Sequence, residues 1–139
     1  MRVLMVGAGG VGDAAARIAA QRAFFEQRVV ADHDLTRSER TVASVIERNP
    51  GDTRFRAARV DASDAGAVEA LAREVGATHV FNAVDPRFVL PIFEGARAAG
   101  ADYLDMAMSL SSRHPEQPYA KVGVKLGDDQ FAQAPDWET

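Results

Sequence analysis

The sequence contains no cysteine, which excludes a disulfide framework, a thiol nucleophile and a thiolate metal site. It also contains no apolar run near the roughly 18 residues that a membrane-spanning helix needs. Basic residues do not outnumber acidic ones: the net charge is −4, so we expect no nucleic-acid or membrane partner. The first apolar run, residues 3–6, ends in glycines and lacks the layout of a signal peptide. These absences predict a soluble, cytoplasmic protein.

The chain alternates between strand patterns and helix patterns. Its 139 residues fit one domain that buries roughly 68–70% of its extended-chain surface. Hydrophobic residues make up 47% and charged residues 26%, which are ordinary values for a globular domain. Strands are predicted over residues 3–6, 28–32, 55–60, 78–84 and 102–106, and helices over about 10–25, 36–49, 63–76 and 86–99.

This alternation predicts an α/β fold of the Rossmann type. Strand–helix–strand units of this spacing form right-handed crossovers and a parallel sheet, here doubly wound in the order 3-2-1-4-5 with helices on both faces. Ligands of such sheets bind beyond the carboxyl ends of the strands, where the order reverses. We therefore predict a domain over residues 1–108 and an irregular tail over 109–139, with at most a short strand at 122–126. The lack of a clear sixth strand indicates that this chain is a piece of a longer protein.

Two local details of the helices follow from side-chain spacing. In the first helix, four apolar residues recur at helical spacing and form a stripe for packing on the sheet: Val11, Ala15, Ile18 and Ala19. In the second, Thr36 and Glu39 have the spacing of a capping box, and the buried face is expected at Val42, Val45 and Ile46.

A glycine-rich turn joins the first strand to the first helix. Gly7, Gly9 and Gly12 have the G-x-G-x-x-G spacing, in which the first glycine permits the tight turn and the second lets the backbone approach a pyrophosphate. The third lets the helix pack closely on the strand, and the positive end of the helix faces the phosphates. This context indicates a dinucleotide site.

Asp32 ends the second strand, twenty residues beyond Gly12. A carboxylate at this place accepts hydrogen bonds from the ribose hydroxyls of NAD and repels the 2′-phosphate of NADP. Asp34 adds to that bias, whereas Arg37 could offset it by pairing with a phosphate. The electrostatic argument favours NAD, with NADP as the other possibility.

Polar residues also end the third and fourth strands. Asp61 and Ala62 should lie beside the adenine ring, although Asp61 could instead cap the next helix. Asn82 and Ala83 should lie near the nicotinamide half, although Asn82 could simply bond the backbone at a strand end.

The sequence does not identify a catalytic residue. Asp105, His114 and Tyr119 follow the fifth strand and are candidates for a substrate site, with His114 as a possible acid or base. His33 and His79 are expected to be structural. Three histidines so widely separated have no metal-site spacing, so no metal is predicted.

Four stretches, in order, resemble the N-terminal NAD(P)-binding domain of the saccharopine dehydrogenase-like oxidoreductases: MRVLMVGAGGVG, VVADHD, VDASD and VFNAVDPRFVLPIFEGARAAGADYLDMA. The resemblance covers about residues 1–108, and its most specific part runs from residue 82 to 105. It implies NAD(P)-dependent oxidation of an amine on an amino acid, or reduction of the matching imine, by a longer protein that forms a homodimer. In such a protein the tail 109–139 leads towards a substrate and dimerisation domain that is absent from this chain. The isolated domain is then expected to bind cofactor without turnover.

The resemblance also implies which residues bind the cofactor. The pyrophosphate loop corresponds to Gly7, Gly9, Gly10, Val11 and Gly12, while the other contacts correspond to Asp32, Asp61, Ala62, Asn82 and Ala83. This chain departs from the family at His33, where arginine is frequent, and at Asp85, where proline is usual. The segment 109–130 is an elaboration that leaves the substrate open.

Two alternatives from other functional classes remain at this point. Regulatory nucleotide-sensing domains of potassium transport systems share the size, the glycine loop and the acidic end of the second strand. S-adenosylmethionine methyltransferases also have a glycine-rich first turn, but the G-x-G-x-x-G spacing suits a dinucleotide better.

Overall fold

The computed structural model describes residues 1–137 and places five strands and five helices there. The strands are β1 (Arg2–Val6), β2 (Gln27–Asp32), β3 (Phe55–Arg59), β4 (His79–Asn82) and β5 (Asp102–Asp105). The helices are α1 (Gly10–Ala20), α2 (Leu35–Arg48), α3 (Ala65–Glu74), α4 (Val89–Ala99) and α5 (Asp128–Phe131). Short 3₁₀ turns cover Pro86–Phe88 and Ala134–Trp137. No helix in the described part of the chain is long and apolar enough to span a membrane.

The five strands form one parallel sheet in the order β3-β2-β1-β4-β5, which confirms the predicted topology. Val6 is in register with Ala31 on one side and with Asn82 on the other. The carboxyl ends of β1, β2 and β4 therefore meet at one edge of the sheet. The order reverses between β1 and β4, so the turn after β1 opens at the predicted switch point.

Helices cover both faces of the sheet, as predicted. On one face, α1 and α2 pack on β1 to β3 through Met5, Ala16, Ala20, Val30, Val42, Val45 and Phe55. On the other face, α3 and α4 pack on β1, β2 and β4 through Leu4, Val29, Val68, Ala72, Val80, Ile92 and Ala96. Valine and alanine dominate both layers, and the apolar strands are covered on both faces as expected for a parallel sheet.

The first helix differs from its prediction in length and in orientation. It ends at Ala20 because Arg54 donates to the Ala20 carbonyl over 3.0 Å and to the Arg22 carbonyl over 3.0 Å. Its sheet-facing residues are Gly12, Ala16 and Ala20. Val11 and Ile18 of the predicted stripe are 49% and 59% exposed, so the prediction was wrong for these two residues. Ala15 of the same stripe is partly buried and packs against the core on this face. The close contact at Gly12 turns the small residues, rather than the larger ones, towards the sheet.

The starts of the next helices depend on aspartates. Asp34 caps α2 by accepting from the Thr36 N–H over 3.0 Å, so the predicted cap at Thr36 was wrong. Ile46 in that helix is 39% exposed rather than buried. Asp64, one of the two predicted caps of α3, accepts from two backbone N–H groups of its first turn. Pro91 is the third residue of α4 and lies in its first turn. The backbone N–H groups of that turn have no acceptor within the helix, so a proline there loses no helical hydrogen bond.

The tail packs back on the domain. Ser112 and Val124 form an isolated antiparallel bridge, and Val124 lies within 122–126, where at most a short strand was expected. Gln130 in α5 accepts from the Ser109 N–H over 2.7 Å and donates to Asp105 over 2.8 Å. Trp137 stacks against Phe93, with ring centroids 4.7 Å apart. The division at residue 108 stays a prediction.

Candidate cofactor site

Two glycines of the loop after β1 are required by close packing. Gly7 has a φ of +108°, and a Cβ there would lie 2.7 Å from the Ala83 carbonyl oxygen. A Cβ on Gly12 would lie 1.9 Å from the Gly7 carbonyl oxygen. A larger residue at either position therefore has no room, and the turn from β1 into α1 depends on both glycines.

The next part of the loop is open. A Cβ on Gly9 would have only the Arg37 guanidinium in reach, at 3.5 Å, and one on Gly10 would meet nothing within 4 Å. Gly9 is the N-cap of α1 and supplies no side chain to its first N–H groups, and Val11 beside it is exposed. An anion can approach these N–H groups directly, helped by the helix dipole. The loop thus fits the diphosphate of a dinucleotide.

Asp32 lies next to this loop, but its carboxylate already has protein partners. One oxygen accepts from the Ala8 N–H over 2.8 Å, and the other from the Asp34 N–H over 3.1 Å. His33 Nδ1 lies 2.8 Å and Arg37 Nη1 3.9 Å from the second oxygen. The residue is only 5% exposed.

Opposing effects act on the pKa of Asp32. Burial raises the pKa, whereas the two backbone hydrogen bonds and the charges of Arg37 and His33 lower it. The lowering effects together prevail, so the pKa lies below its ordinary value of 3.8 and the group stays ionised. Asp32 therefore holds the glycine loop to the end of β2, and its role towards the ribose stays a prediction.

A cavity of about 490 Å³ opens at the end of β3, where the adenine ring was expected. It is lined by His33, Arg59, Val60, Asp61, Ala62, Ser63 and Phe88. Asp61 does not cap α3; it accepts from the hydroxyl and the N–H of Ser63 over 2.6 and 2.9 Å, and these bonds lower its pKa. Both adenine-side candidates, Asp61 and Ala62, thus lie in one cavity wall.

Sequence reasoning missed Arg59 and Phe88 as cavity residues. Phe88 belongs to the 3₁₀ turn after β4, on the far side of the switch point from β3. No local spacing places these two residues in one cavity, because the segments that carry them meet only in the folded domain. The sequence signal that could have indicated the cavity was Arg59 itself, a basic residue next to the end of the predicted strand 55–60.

Asn82 and Ala83 lie at the end of β4, at the edge where the nicotinamide half was predicted. Asn82 is 1% exposed; its amide donates to the Tyr103 hydroxyl over 2.9 Å and accepts from the Val84 N–H over 3.0 Å. Burial raises the pKa of Tyr103, so this hydroxyl stays protonated. The Ala83 N–H donates to the Val6 carbonyl. Asn82 therefore holds the switch point together, and its contact with the ribose stays a prediction.

The three candidates for a substrate site have different surroundings. Asp105 is half-buried and accepts from Gln130 over 2.8 Å. His114 Nδ1 accepts from the N–H groups of Glu116 and Gln117, and Tyr119 is 95% exposed. No contact among residues 1–137 joins the three side chains into one cluster, so their roles stay predictions.

The sequence profile described as the saccharopine dehydrogenase NADP binding domain matches residues 3–139 of this chain. The chain belongs to this family. The glycine loop, the parallel sheet and the open switch point are therefore those of an NAD(P)-binding domain, in a family of NAD(P)-dependent oxidoreductases. The family match also decides against the two alternatives from other functional classes.

Two curated relatives are similar over most of this chain. The carboxynorspermidine synthase of Vibrio cholerae is 30% identical over 140 residues, which cover 96% of this chain and 34% of the relative. The carboxynorspermidine synthase of Vibrio alginolyticus is 31% identical over 126 residues, which cover 86% of this chain and 30% of the relative. The chain thus spans about a third of the length of these relatives.

Among solved structures, the chain resembles apo saccharopine dehydrogenase (L-Glu forming) from Saccharomyces cerevisiae. The TM-score is 0.62 at 16% identity, and the match covers 75% of this chain and 21% of the yeast chain. At that identity the likeness shows the shared Rossmann fold alone.

Proposed function

We propose that this chain is the NAD(P)-binding domain of an oxidoreductase acting on the C–N bond of an amino-acid-type amine or imine. The observation that carries the proposal is the open first turn of α1, in which Gly9 and Gly10 leave backbone N–H groups accessible beside the switch point. The family match and the relatives named carboxynorspermidine synthase support the reaction class.

The bound cofactor would accept or donate the hydride, and the chain's own residues would hold it. Backbone N–H groups from Gly9 to Gly12 would bind the diphosphate, with Asp32 beside the adenosine ribose. Asp61 and Ala62 would line the adenine side. Asn82 and Ala83 would form the base of the nicotinamide side. In these roles the residues orient the cofactor across the carboxyl ends of the strands.

Turnover would need more protein than this chain contains. Hydride transfer requires the substrate to be held against the nicotinamide in a site closed to water. The chain spans about a third of its curated relatives, so we assign substrate binding and homodimer formation to the rest of a longer protein. A reducing, cytoplasmic compartment is consistent with the lack of cysteine.

Calorimetric titration of the chain with NAD, NADH, NADP and NADPH tests this proposal. We expect at least one of the four to bind at one site per chain. ATP and S-adenosylmethionine serve as controls for the regulatory and methyltransferase alternatives. If the folded chain binds none of the dinucleotides, or binds a control ligand more tightly, the proposal is wrong.

A further inference from the structure

We propose that Gln130 of the tail, acting through Asp105 and Tyr103, positions the turn after β4 for the nicotinamide half of the cofactor. The inference rests on the proposed function, because it concerns the same cofactor site. It makes Gln130 and Tyr103 positioning residues, which affect the cofactor through this turn and do not touch it themselves.

The turn after β4, residues 83–85, packs directly on the start of the glycine loop. A Cβ on Gly7 would lie 2.7 Å from the Ala83 carbonyl oxygen and 2.7 Å from Cγ1 of Val84. The turn is held by Asn82, whose side-chain oxygen accepts from the Val84 N–H over 3.0 Å. Because Asn82 is only 1% exposed, its effect on a ligand passes through the shape of this turn.

The orientation of the Asn82 amide depends on Tyr103. Its Nδ2 donates to the Tyr103 hydroxyl over 2.9 Å. Burial has the largest effect on the pKa of Tyr103 and raises it, and both the charge of Asp105 and a hydrogen bond to Asp105 raise it further. The hydroxyl therefore stays protonated and donates to Asp105 while it accepts from Asn82. The tyrosine ring packs edge-to-face on Phe93, with centroids 5.2 Å apart, which limits its movement.

Asp105 is in turn connected to the tail by Gln130, which lies 25 residues further along the chain. Nε2 of Gln130 donates to Oδ2 of Asp105 over 2.8 Å, and its Oε1 accepts from the Ser109 N–H over 2.7 Å. The Gly127 N–H donates to the Ser109 carbonyl over 3.0 Å. Both groups of one side-chain amide are thus engaged, and they fix α5 against the end of β5.

Together these side chains form a continuous hydrogen-bonded network from α5 to the turn after β4; we call it the tail network, and its members are Gln130, Asp105, Tyr103 and Asn82. Removal of one member leaves a neighbour with an unsatisfied polar group in a half-buried place. A network that only stabilised the fold would affect all cofactor fragments alike. One that positions the turn should affect the nicotinamide half selectively.

The test compares two ligands in calorimetric titrations. The first is NADH or NADPH, whichever the unaltered chain binds more tightly. The second is ADP, or ADP with a 2′-phosphate in the case of NADPH, which has the adenosine and the diphosphate but lacks the nicotinamide half.

The variants Tyr103→Phe and Gln130→Leu each remove one link of the tail network and nearly preserve side-chain size. Gln133→Leu is the matched control, because Gln133 lies three residues further along the tail and outside the network. Circular dichroism melts check that each variant is folded.

We expect Tyr103→Phe to weaken binding of the dinucleotide about tenfold and Gln130→Leu about fivefold, as is usual for the loss of a hydrogen bond to a charged group. Binding of ADP should change by less than about twofold in both. The double variant should be little weaker than Tyr103→Phe alone, because both substitutions interrupt one network. The control should leave both affinities unchanged.

The coupling must also act in the opposite direction, because linkage between two sites is reciprocal. Binding of the dinucleotide should slow amide hydrogen exchange at Ser109 and Gly127, whose N–H groups hold the tail in place. Binding of ADP should not. In Gln130→Leu the dinucleotide should lose this effect on the tail.

Two kinds of result overturn the inference, and they are distinguishable. Equal weakening of dinucleotide and ADP in the folded variants, no weakening, or additive effects in the double variant would refute the positioning role and leave the proposed function standing. If Tyr103→Phe does not fold, Gln130→Leu decides by itself. Failure of the folded, unaltered chain to bind either dinucleotide would refute the proposed function, and the positioning role with it.

Discussion

The backbone N–H of Ala8 donates to Oδ2 of Asp32 over 2.8 Å and so connects the glycine loop to the end of β2. The residue that the sequence assigns to the cofactor ribose is thus also a support of the loop that would bind the diphosphate. Loss of this carboxylate should change the stability of the protein as well as its selectivity. The two effects can be separated, because stability is measured without cofactor.

Gly9→Val should abolish dinucleotide binding without unfolding the chain. The backbone at Gly9 is extended and the space around its Cβ position is open except for the flexible Arg37. A valine there would fill the space that the diphosphate needs and raise the Kd by at least about 100-fold, or 2.7 kcal/mol. Calorimetry measures the Kd, with Ala14→Val on the exposed side of α1 as control. Retained affinity in Gly9→Val would contradict the predicted position of the diphosphate.

Gly12→Ala should destabilise the fold, unlike Gly10→Ala. The added methyl on Gly12 would lie 1.9 Å from the Gly7 carbonyl oxygen, a backbone atom that cannot move alone. We expect a loss of about 1–3 kcal/mol in the free energy of unfolding, the usual cost of overpacking. Gly10 has nothing within 4 Å, so its alanine variant should be near neutral. Urea unfolding compares the two; equal stability would show that the turn tolerates a side chain.

Asp32→Asn should remove part of the acid sensitivity of the protein. The pKa of Asp32 is below its ordinary value of 3.8 in the folded state, so the ionised group stabilises the fold above that pH. This contribution is lost as the pH falls through the folded-state pKa. The difference in unfolding free energy between the unaltered chain and Asp32→Asn should be about 1–3 kcal/mol at pH 7 and shrink below about pH 4.

Urea unfolding between pH 7 and pH 3 measures that difference. Other acids, such as Asp52 and Asp61, also have lowered pKa values, but they titrate in both proteins and cancel in the comparison. A difference that is constant over the whole range would show that the carboxylate of Asp32 has no coupling to folding.

Arg54→Met should lower the melting temperature by about 5 °C. The Arg54 guanidinium donates to the carbonyls of Ala20, Arg22 and Phe25 and to the carboxylate of Asp52, so it closes the end of α1. The control is Arg56→Met, two residues further along in β3, which loses only one distant ion pair and should have little effect. Equal melting temperatures would mean that water replaces these hydrogen bonds at no cost.

The repeating pattern of the sequence was sufficient for the topology. The alternation of strand and helix patterns predicted the parallel order 3-2-1-4-5, which was confirmed. The glycine spacing, the acid at residue 32 and the other resembling stretches predicted a family of NAD(P)-binding domains, which was also confirmed. These signals are local: a tight turn requires glycine, and a parallel crossover requires a helix of sufficient length.

The side chains around the switch point were decided by tertiary structure. The sequence could not show that Asp32 is already hydrogen-bonded to Ala8, that Asn82 is hydrogen-bonded to Tyr103, or that Arg59 and Phe88 line the same cavity. Nor could it show that α1 turns Ala16, rather than Ile18, towards the sheet. The period of the hydrophobic residues and the spacing of the glycines determine which helices, strands and turns form. Hydrogen-bond partners and packing depend on segments that are far apart in the sequence and meet only when the sheet assembles.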